Sequence, residues 1–186
     1  RLAYSTVANL SYILLGALLM THQGLYAGLL HMLFHSAMKI TLFLAAGIYI
    51  TRAGVEDVRD LSGLGRYMPL TSAAFTLGSL ALTGTPPLLG FVSKWSLAQA
   101  AVYTGQWLAW AGVGALLISA VLTGIYLFTP AVTLYTGTRA ADAQPRIPIG
   151  PHYTITMAGL IGLMLALTVY NQPLINYLVR VASGLG

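Results

Sequence analysis

Apolar residues run along this chain in blocks too long and continuous for the alternating strands or striped helices of a water-soluble domain. The first block extends from about Leu2 to Met20 and ends in the polar turn Thr21-His22-Gln23-Gly24. A second runs from about Leu25 to Ile50 and carries His31, His35 and Lys39. Each is long enough to cross a hydrocarbon core of about 30 Å as a single helix, the second with some tilt. From Arg52 to Met68 the pattern breaks: Arg52, Glu56, Asp57, Arg59, Asp60 and Arg66 alternate with Gly54, Gly63 and Gly65. An aqueous loop with a short surface helix fits that stretch.

The next apolar run, Pro69 to Tyr103, would measure about 50 Å as one straight helix, well beyond a single membrane thickness. Thr83-Gly84-Thr85-Pro86-Pro87 supplies an interruption. Pro87 has no N–H, and Pro86 is held out of the helical region by the proline that follows it. The run is therefore either one discontinuous crossing or two short ones. With one crossing, Arg1, the Arg52–Arg66 loop and the Arg139–Arg146 loop share a side and Arg180 lies opposite. The positive-inside rule favours that arrangement, with the basic side cytoplasmic. Further helices are expected from about Trp107 to Tyr135 and from Tyr153 to Leu178, either side of the loop Gly137 to Pro151. Tyr103, Trp107, Trp110, Tyr170 and Tyr177 suit interfacial anchoring. The expected fold class is all-α: a polytopic transmembrane bundle of about five crossings, one of them discontinuous.

Composition strengthens this picture. The chain has 186 residues, 57% hydrophobic and 7% charged, with a mean hydropathy of +0.77. A soluble domain carries roughly 25% charged residues. From Leu2 to Thr51 the one formal charge is Lys39, and from Tyr67 to Thr138 it is Lys94. The net charge of +5 would suggest nucleic acid in a soluble protein, but nine dispersed basic residues are better explained by membrane topology. Cysteine is absent, which excludes disulfides and thiolate metal sites. The chain opens on Arg1 without the pattern of a signal peptide, and is read as a fragment, a split gene product or part of a longer chain.

The chemistry centres on the intramembrane cations. His31, His35 and Lys39 stand at i, i+4 and i+8, within about 80° of one another along a helical stripe about 12 Å long. A cation at the middle of a membrane helix costs at least about 2.5–3.5 kcal/mol, so Lys39 is expected to face protein or water and not lipid. Desolvation disfavours the charged form of a titratable group, which suits such a lysine to exchange a proton, and histidines to relay it. The alternatives are a structural lysine with packed histidines, or a metal held by His31 and His35. Lys94 lies just after the double proline, and broken membrane helices mark ion or substrate pathways. Snorkelling to the interface is the other explanation for Lys94. His22 and His152 lie at expected membrane boundaries and receive no role.

Leu2-Ala3-Tyr4-Ser5-Thr6, the run His31-Met32-Leu33-Phe34-His35-Ser36-Ala37-Met38-Lys39, Asp60-Leu61-Ser62-Gly63-Leu64, and Gly84-Thr85-Pro86-Pro87-Leu88-Leu89-Gly90-Phe91-Val92-Ser93-Lys94 together resemble the antiporter-like proton-conducting subunits. That family includes the large membrane-arm subunits of respiratory complex I, the large subunits of Mrp-type sodium/proton antiporters and relatives in membrane-bound hydrogenases. The resemblance is close over about Arg1 to Tyr135. It implies that residues 1–135 form the second of two inverted five-helix repeats, and 136–186 a cytoplasmic loop and closing helix. It also implies His31, His35 and Lys39 as the central relay, Lys94 as the lysine of the broken helix, and Gly84, Pro86 and Pro87 as the break. The first repeat, with its glutamate and lysine pair, is absent from these residues. Trp95 stands where complex I members often have an acid, a feature of the Mrp and hydrogenase branches.

The function implied is proton translocation, with or without sodium coupling, inside a larger respiratory or hydrogenase-type complex. The alternatives are a subunit of a stand-alone Mrp-type antiporter and a structural membrane-arm spacer. No nucleotide, haem or iron-sulfur signature is present, so no cofactor and no catalytic centre of the chain's own are expected. Expected partners are other membrane subunits, including the missing repeat or a homologous antiporter-like subunit, and the lipid bilayer, but not nucleic acid. The expected location is a prokaryotic cell membrane or an organellar inner membrane.

Overall fold

A computed structural model describes residues 1–136 and 147–184, which fold into helices joined by short loops. The helices are α1 (Leu2–Leu18), α2 (His22–Ala53), α3 (Leu64–Tyr67), α4 (Pro69–Thr83), α5 (Leu89–Tyr103), α6 (Trp107–Thr133), α7 (Pro151–Val169) and α8 (Asn171–Gly184). The basic loop expected around Arg139 and Arg146 lies outside the described residues.

α2 is the axis of the bundle. It has 32 residues, so it is about 48 Å long. Thr21 caps its start by accepting a hydrogen bond from the Gly24 N–H at 3.0 Å, and Gly54, in the left-handed region at φ 64°, ends it. Contacts along α2 serve as a depth scale for the other helices. The Tyr49 hydroxyl donates to Ser72 of α4 at 3.0 Å, and Gly78 of α4 packs on Leu42. Gly90 of α5 then packs on Met38, and Ser93 bonds His31 at 2.9 Å. α5 therefore continues the descent that α4 begins. The run from Pro69 to Tyr103 is one discontinuous crossing, interrupted at the level of Met38 and Lys39. Gly84, at φ 96°, ends α4, and the Pro86–Pro87 peptide bond is cis.

The same scale describes the closing crossing. Arg52 stacks on Tyr153 with the guanidinium 5.3 Å from the ring centroid, Thr41 bonds the Met164 sulfur at 3.4 Å, and His22 Nδ1 lies 3.0 Å from the Ala182 carbonyl oxygen. α7 and α8 thus run antiparallel to α2 over its full length. Where the hydropathy pattern reads one helix from Tyr153 to Leu178, the structure divides it at Tyr170. The local cause is the polar run Asn171-Gln172-Pro173, because Pro173 offers no N–H to the preceding turn. Among the described residues α2, α4 with α5, α6, and α7 with α8 each run the full depth of the bundle, whereas α1 pairs with α2 only from the level of Lys39 to the start of α2.

The loop between α2 and α4 contains a single 3-10 turn, Val58–Leu61, and α3. It also satisfies carbonyls left open at the end of α6. Gly63 donates its N–H to Thr133 and Thr136, Gly65 donates to Leu134 at 2.8 Å, and the Ser62 hydroxyl donates to Thr136 at 2.9 Å.

The outer surface is apolar, unlike that of a soluble bundle, around a core that is itself mostly apolar but holds a buried polar set. Ile118, Val121 and Ile125 of α6 and Ile155 and Val169 of α7 all point outward, each more than half exposed. The buried residues of α1 are Ser5, Asn9, Tyr12 and Gly16. His31, His35, Lys39, Ser93 and Lys94 are buried as well. Outward apolar and inward polar faces are what a lipid solvent selects, because every buried polar group must find a protein partner and lipid accepts only apolar surface. α2, α6 and α7 are each long and apolar enough to cross a membrane by themselves.

α1 and α2 meet backbone to backbone. A Cβ placed on Gly16 would lie 2.7 Å from the Gly24 carbonyl oxygen and 2.9 Å from the Gly28 Cα. Small residues allow this approach, as is common between membrane helices. The approach brings the polar face of α1 against the histidine stripe of α2.

Candidate functional site

The four titratable residues singled out from the sequence lie inside the bundle, on α2 and α5. Lys39 Nζ donates to the Leu2 carbonyl and to the Ser5 hydroxyl, both on α1, and stands 5.6 Å from the centroid of the Phe43 ring. One turn earlier, His35 stacks on His31 with centroids 5.9 Å apart. Both His35 ring nitrogens are buried without a hydrogen-bond partner.

His31 is fully buried and both of its nitrogens are engaged. Nε2 lies 3.2 Å from Asn9 Oδ1, and Nδ1 lies 2.9 Å from Ser93 Oγ. The Asn9 amide is oriented by its own donation from Nδ2 to the Ser5 carbonyl at 2.8 Å, which leaves only its oxygen for the histidine. Nε2 must then carry a proton, because an amide oxygen cannot donate. In neutral His31 the Nδ1 atom accepts from the Ser93 hydroxyl. If His31 gains a second proton, Nδ1 donates instead, and the hydroxyl can turn to the Leu89 or Gly90 carbonyl, each 3.3 Å away. The pocket therefore accommodates both protonation states without moving a helix. His31 has no free nitrogen for a metal, and among the described residues no group of three potential metal-ligating side chains converges.

Lys94 sits at the break. Its Nζ donates to the Leu82 carbonyl at 2.8 Å and to the Thr83 carbonyl at 3.0 Å, groups that the interruption of α4 leaves without helical partners. Lys94 thus reaches back to close the end of α4 and does not snorkel to an interface. Gly84, whose positive φ makes the turn, lies against the Lys94 side chain, and Pro86 and Pro87 fill the gap before α5. Beyond Lys94 a cavity of about 600 Å³ opens between α5 and α6.

Sequence reasoning missed the contribution of α1. Ser5 and Asn9 tie Lys39 to His31, and the Tyr12 ring meets His31 edge-on at 5.5 Å. A signal was present: Ser5, Asn9, Tyr12 and Gly16 recur at i, i+4, i+7 and i+11, which is one helical face. Ser93, next to Lys94 in sequence, joins the site through its bond to His31.

Helices with apolar exteriors, a discontinuous crossing and buried cations and imidazoles beside its break define a polytopic helical membrane protein with an internal titratable site. Residues 1–123 match the family described as NADH:quinone oxidoreductase/Mrp antiporter, transmembrane, and the chain belongs to that family. It is 39% identical over 151 residues to NADH-quinone oxidoreductase subunit N of Desulforudis audaxviator, a match covering 81% of this chain and 30% of the relative. Among solved structures it is similar to a chain of the Mrp complex from Dietzia sp., with TM-score 0.85, 27% identity, and coverage of 98% of this chain and 41% of that one. A chain of the membrane-bound sulfane sulfur reductase, an archaeal respiratory membrane complex, matches with TM-score 0.75 and 30% identity over 87% of this chain and 32% of that one. The chain therefore spans less than half the length of each of these relatives.

Proposed function

We propose that this chain carries protons across a membrane, with or without coupling to sodium, as part of the antiporter-like subunit of a larger respiratory or hydrogenase-type complex. The observation that carries this reading is the pair of buried lysines on either side of a histidine whose hydrogen bonds can be satisfied in both protonation states. Lys39, His31, His35 and Lys94 are the relay, and Ser5, Asn9 and Ser93 orient it. Residues 1–135 act as the second repeat of the subunit, with 136–186 as loop and closing helix. The partners are neighbouring membrane subunits, which would supply the remaining half-channel and any redox chemistry. The loop between α2 and α4 faces the cytoplasm or matrix, in keeping with the basic residues on that side.

The test is proton pumping by the intact assembly in sealed vesicles, at matched protein content. Lys39→Ala is expected to remove most pumping while the assembly still forms. Normal pumping by this variant would support the spacer reading and overturn ours. The similarity to the Mrp structure favours one second reading, a sodium/proton antiporter without redox partner. Sodium-driven proton movement without an electron donor would select it.

Ser93→Ala should slow transport by about tenfold, because a protonated His31 would lose a hydrogen-bond partner worth ~1.5 kcal/mol or more. Ser93→Thr, which keeps the hydroxyl, should recover most of the rate. Equal rates for Ala and Thr variants would show that the hydroxyl has no part in transport.

A further inference from the structure

We infer that Tyr12 is a gate residue of the relay proposed above, its ring forming the partition between the His31–His35 pair and Lys94. The inference rests on that reading of the site. Tyr12 belongs to α1, is buried, and packs among Ala27 of α2, Leu97 and Ala100 of α5 and Leu116 of α6. Its ring meets His31 edge-on with centroids 5.5 Å apart, and the Lys94 ammonium lies 5.8 Å from the ring centroid. Its hydroxyl is directed towards Ser119 of α6 without completing a hydrogen bond.

The hydrogen bonds divide into two sets, and the Tyr12 ring touches a member of each. One joins Lys39, Ser5, Asn9, His31 and Ser93. The other joins Lys94 to the Leu82 and Thr83 carbonyls. No hydrogen bond in the structure connects Lys94 Nζ to a histidine among the described residues. A proton moves between oxygen and nitrogen atoms in hydrogen-bond contact and does not cross the carbon face of an aromatic ring. Exchange between the two sets runs through water or side-chain movement, and Tyr12 is in contact with both sets.

A pumping path needs such an interruption, since a continuous hydrogen-bonded wire would let the gradient discharge through it. The same contact ties the gate to its cargo. An ammonium is drawn to the negative face of the ring, and the attraction disappears when the lysine gives up its proton. The ring is thus held most firmly when Lys94 is charged and released when Lys94 is empty and needs refilling.

The test uses the intact assembly in sealed vesicles with no driving reaction, a pH step imposed across the membrane, and a pH-sensitive dye inside. Wild type and Tyr12→Phe, which keeps the ring, should hold the step equally. Tyr12→Ala should let it decay severalfold faster, and adding Lys94→Met to Tyr12→Ala should restore the wild-type decay. If the alanine variant does not assemble, Tyr12→Thr, which retains more volume but no ring, replaces it with the same expectation. Ring-free vesicles as tight as wild type while still able to pump would overturn the gate. So would a leak in Tyr12→Phe equal to that of Tyr12→Ala, or a leak that survives Lys94→Met. Normal driven pumping by the single Lys94→Met variant would instead overturn the underlying relay and leave the gate without a path to control.

Discussion

Vesicles containing the Lys94→Arg assembly should form normally and pump no faster than protein-free vesicles. Arginine retains the positive charge and hydrogen-bond donors that the Leu82 and Thr83 carbonyls require, so the broken helix keeps its closure. It does not release its proton under any condition a protein survives, so it cannot act as a carrier. Lys94→Met tests the complementary case. It keeps the apolar stem, removes the ammonium and leaves the buried Leu82 carbonyl unpaired, at about 1–3 kcal/mol, together with the partly buried Thr83 carbonyl at less. That variant should lose transport and also some thermal stability. Transport by the arginine variant at wild-type rate would mean that Lys94 serves only as a structural cap for α4. The two substitutions together separate proton carriage from helix closure, which a single alanine change would confound.

The largest effect on assembly should come from Gly90→Val. A Cβ at Gly90 would fall 1.8 Å from the Ala81 carbonyl oxygen and 2.9 Å from its carbon. Those are backbone atoms and cannot swing aside, so α5 must withdraw from α4. Overpacking against flexible side chains typically costs about 1–3 kcal/mol, and a rigid obstacle pushes the cost to the upper end or beyond. The withdrawal would also carry Lys94 away from the end of α4 and Ser93 away from His31. Assembled complex should fall sharply, with a clear drop in the Tm of whatever is recovered in detergent. Gly159→Ala is the control, because nothing lies within 4 Å of its added Cβ. Equal yields and Tm values for the two variants would show that the α4–α5 contact tolerates separation.

The features legible in the sequence were those that violate the rules of a lipid solvent. Lys39 and Lys94 are isolated charges in apolar runs, and the double proline sits inside a run too long for one straight helix. The structure agrees on a helical membrane bundle with a discontinuous crossing at that point. The counterparts on α1 were less visible because serine, asparagine and tyrosine are ordinary in membrane helices. Their meaning depends on which helix they face, and that is settled by three glycines at the α1–α2 contact. The division at Tyr170 is invisible to hydropathy, which averages over a window, so that Leu174, Ile175 and Leu178 mask the polar run before them. Hydropathy also cannot register that Lys94 reaches back to α4, since that depends on carbonyls that only the folded break exposes.

The glycine contact between α1 and α2 carries a consequence for how this protein can change over evolutionary time. Gly16 and Gly24 have no room for a side chain, and Gly28 little: a Cβ there would lie 3.1 Å from the Ile13 carbonyl oxygen. The spacing between the Ser5–Asn9–Tyr12 face and the histidine stripe is thus set by main-chain contact and not by the fit of interchangeable side chains. The outward residues of both helices are free to drift among apolar types, whereas a single added methyl group at this seam would throw the imidazole and amide out of alignment. Residues that touch no proton therefore set the mechanical tolerance within which His31 and Lys39 meet the polar face of α1.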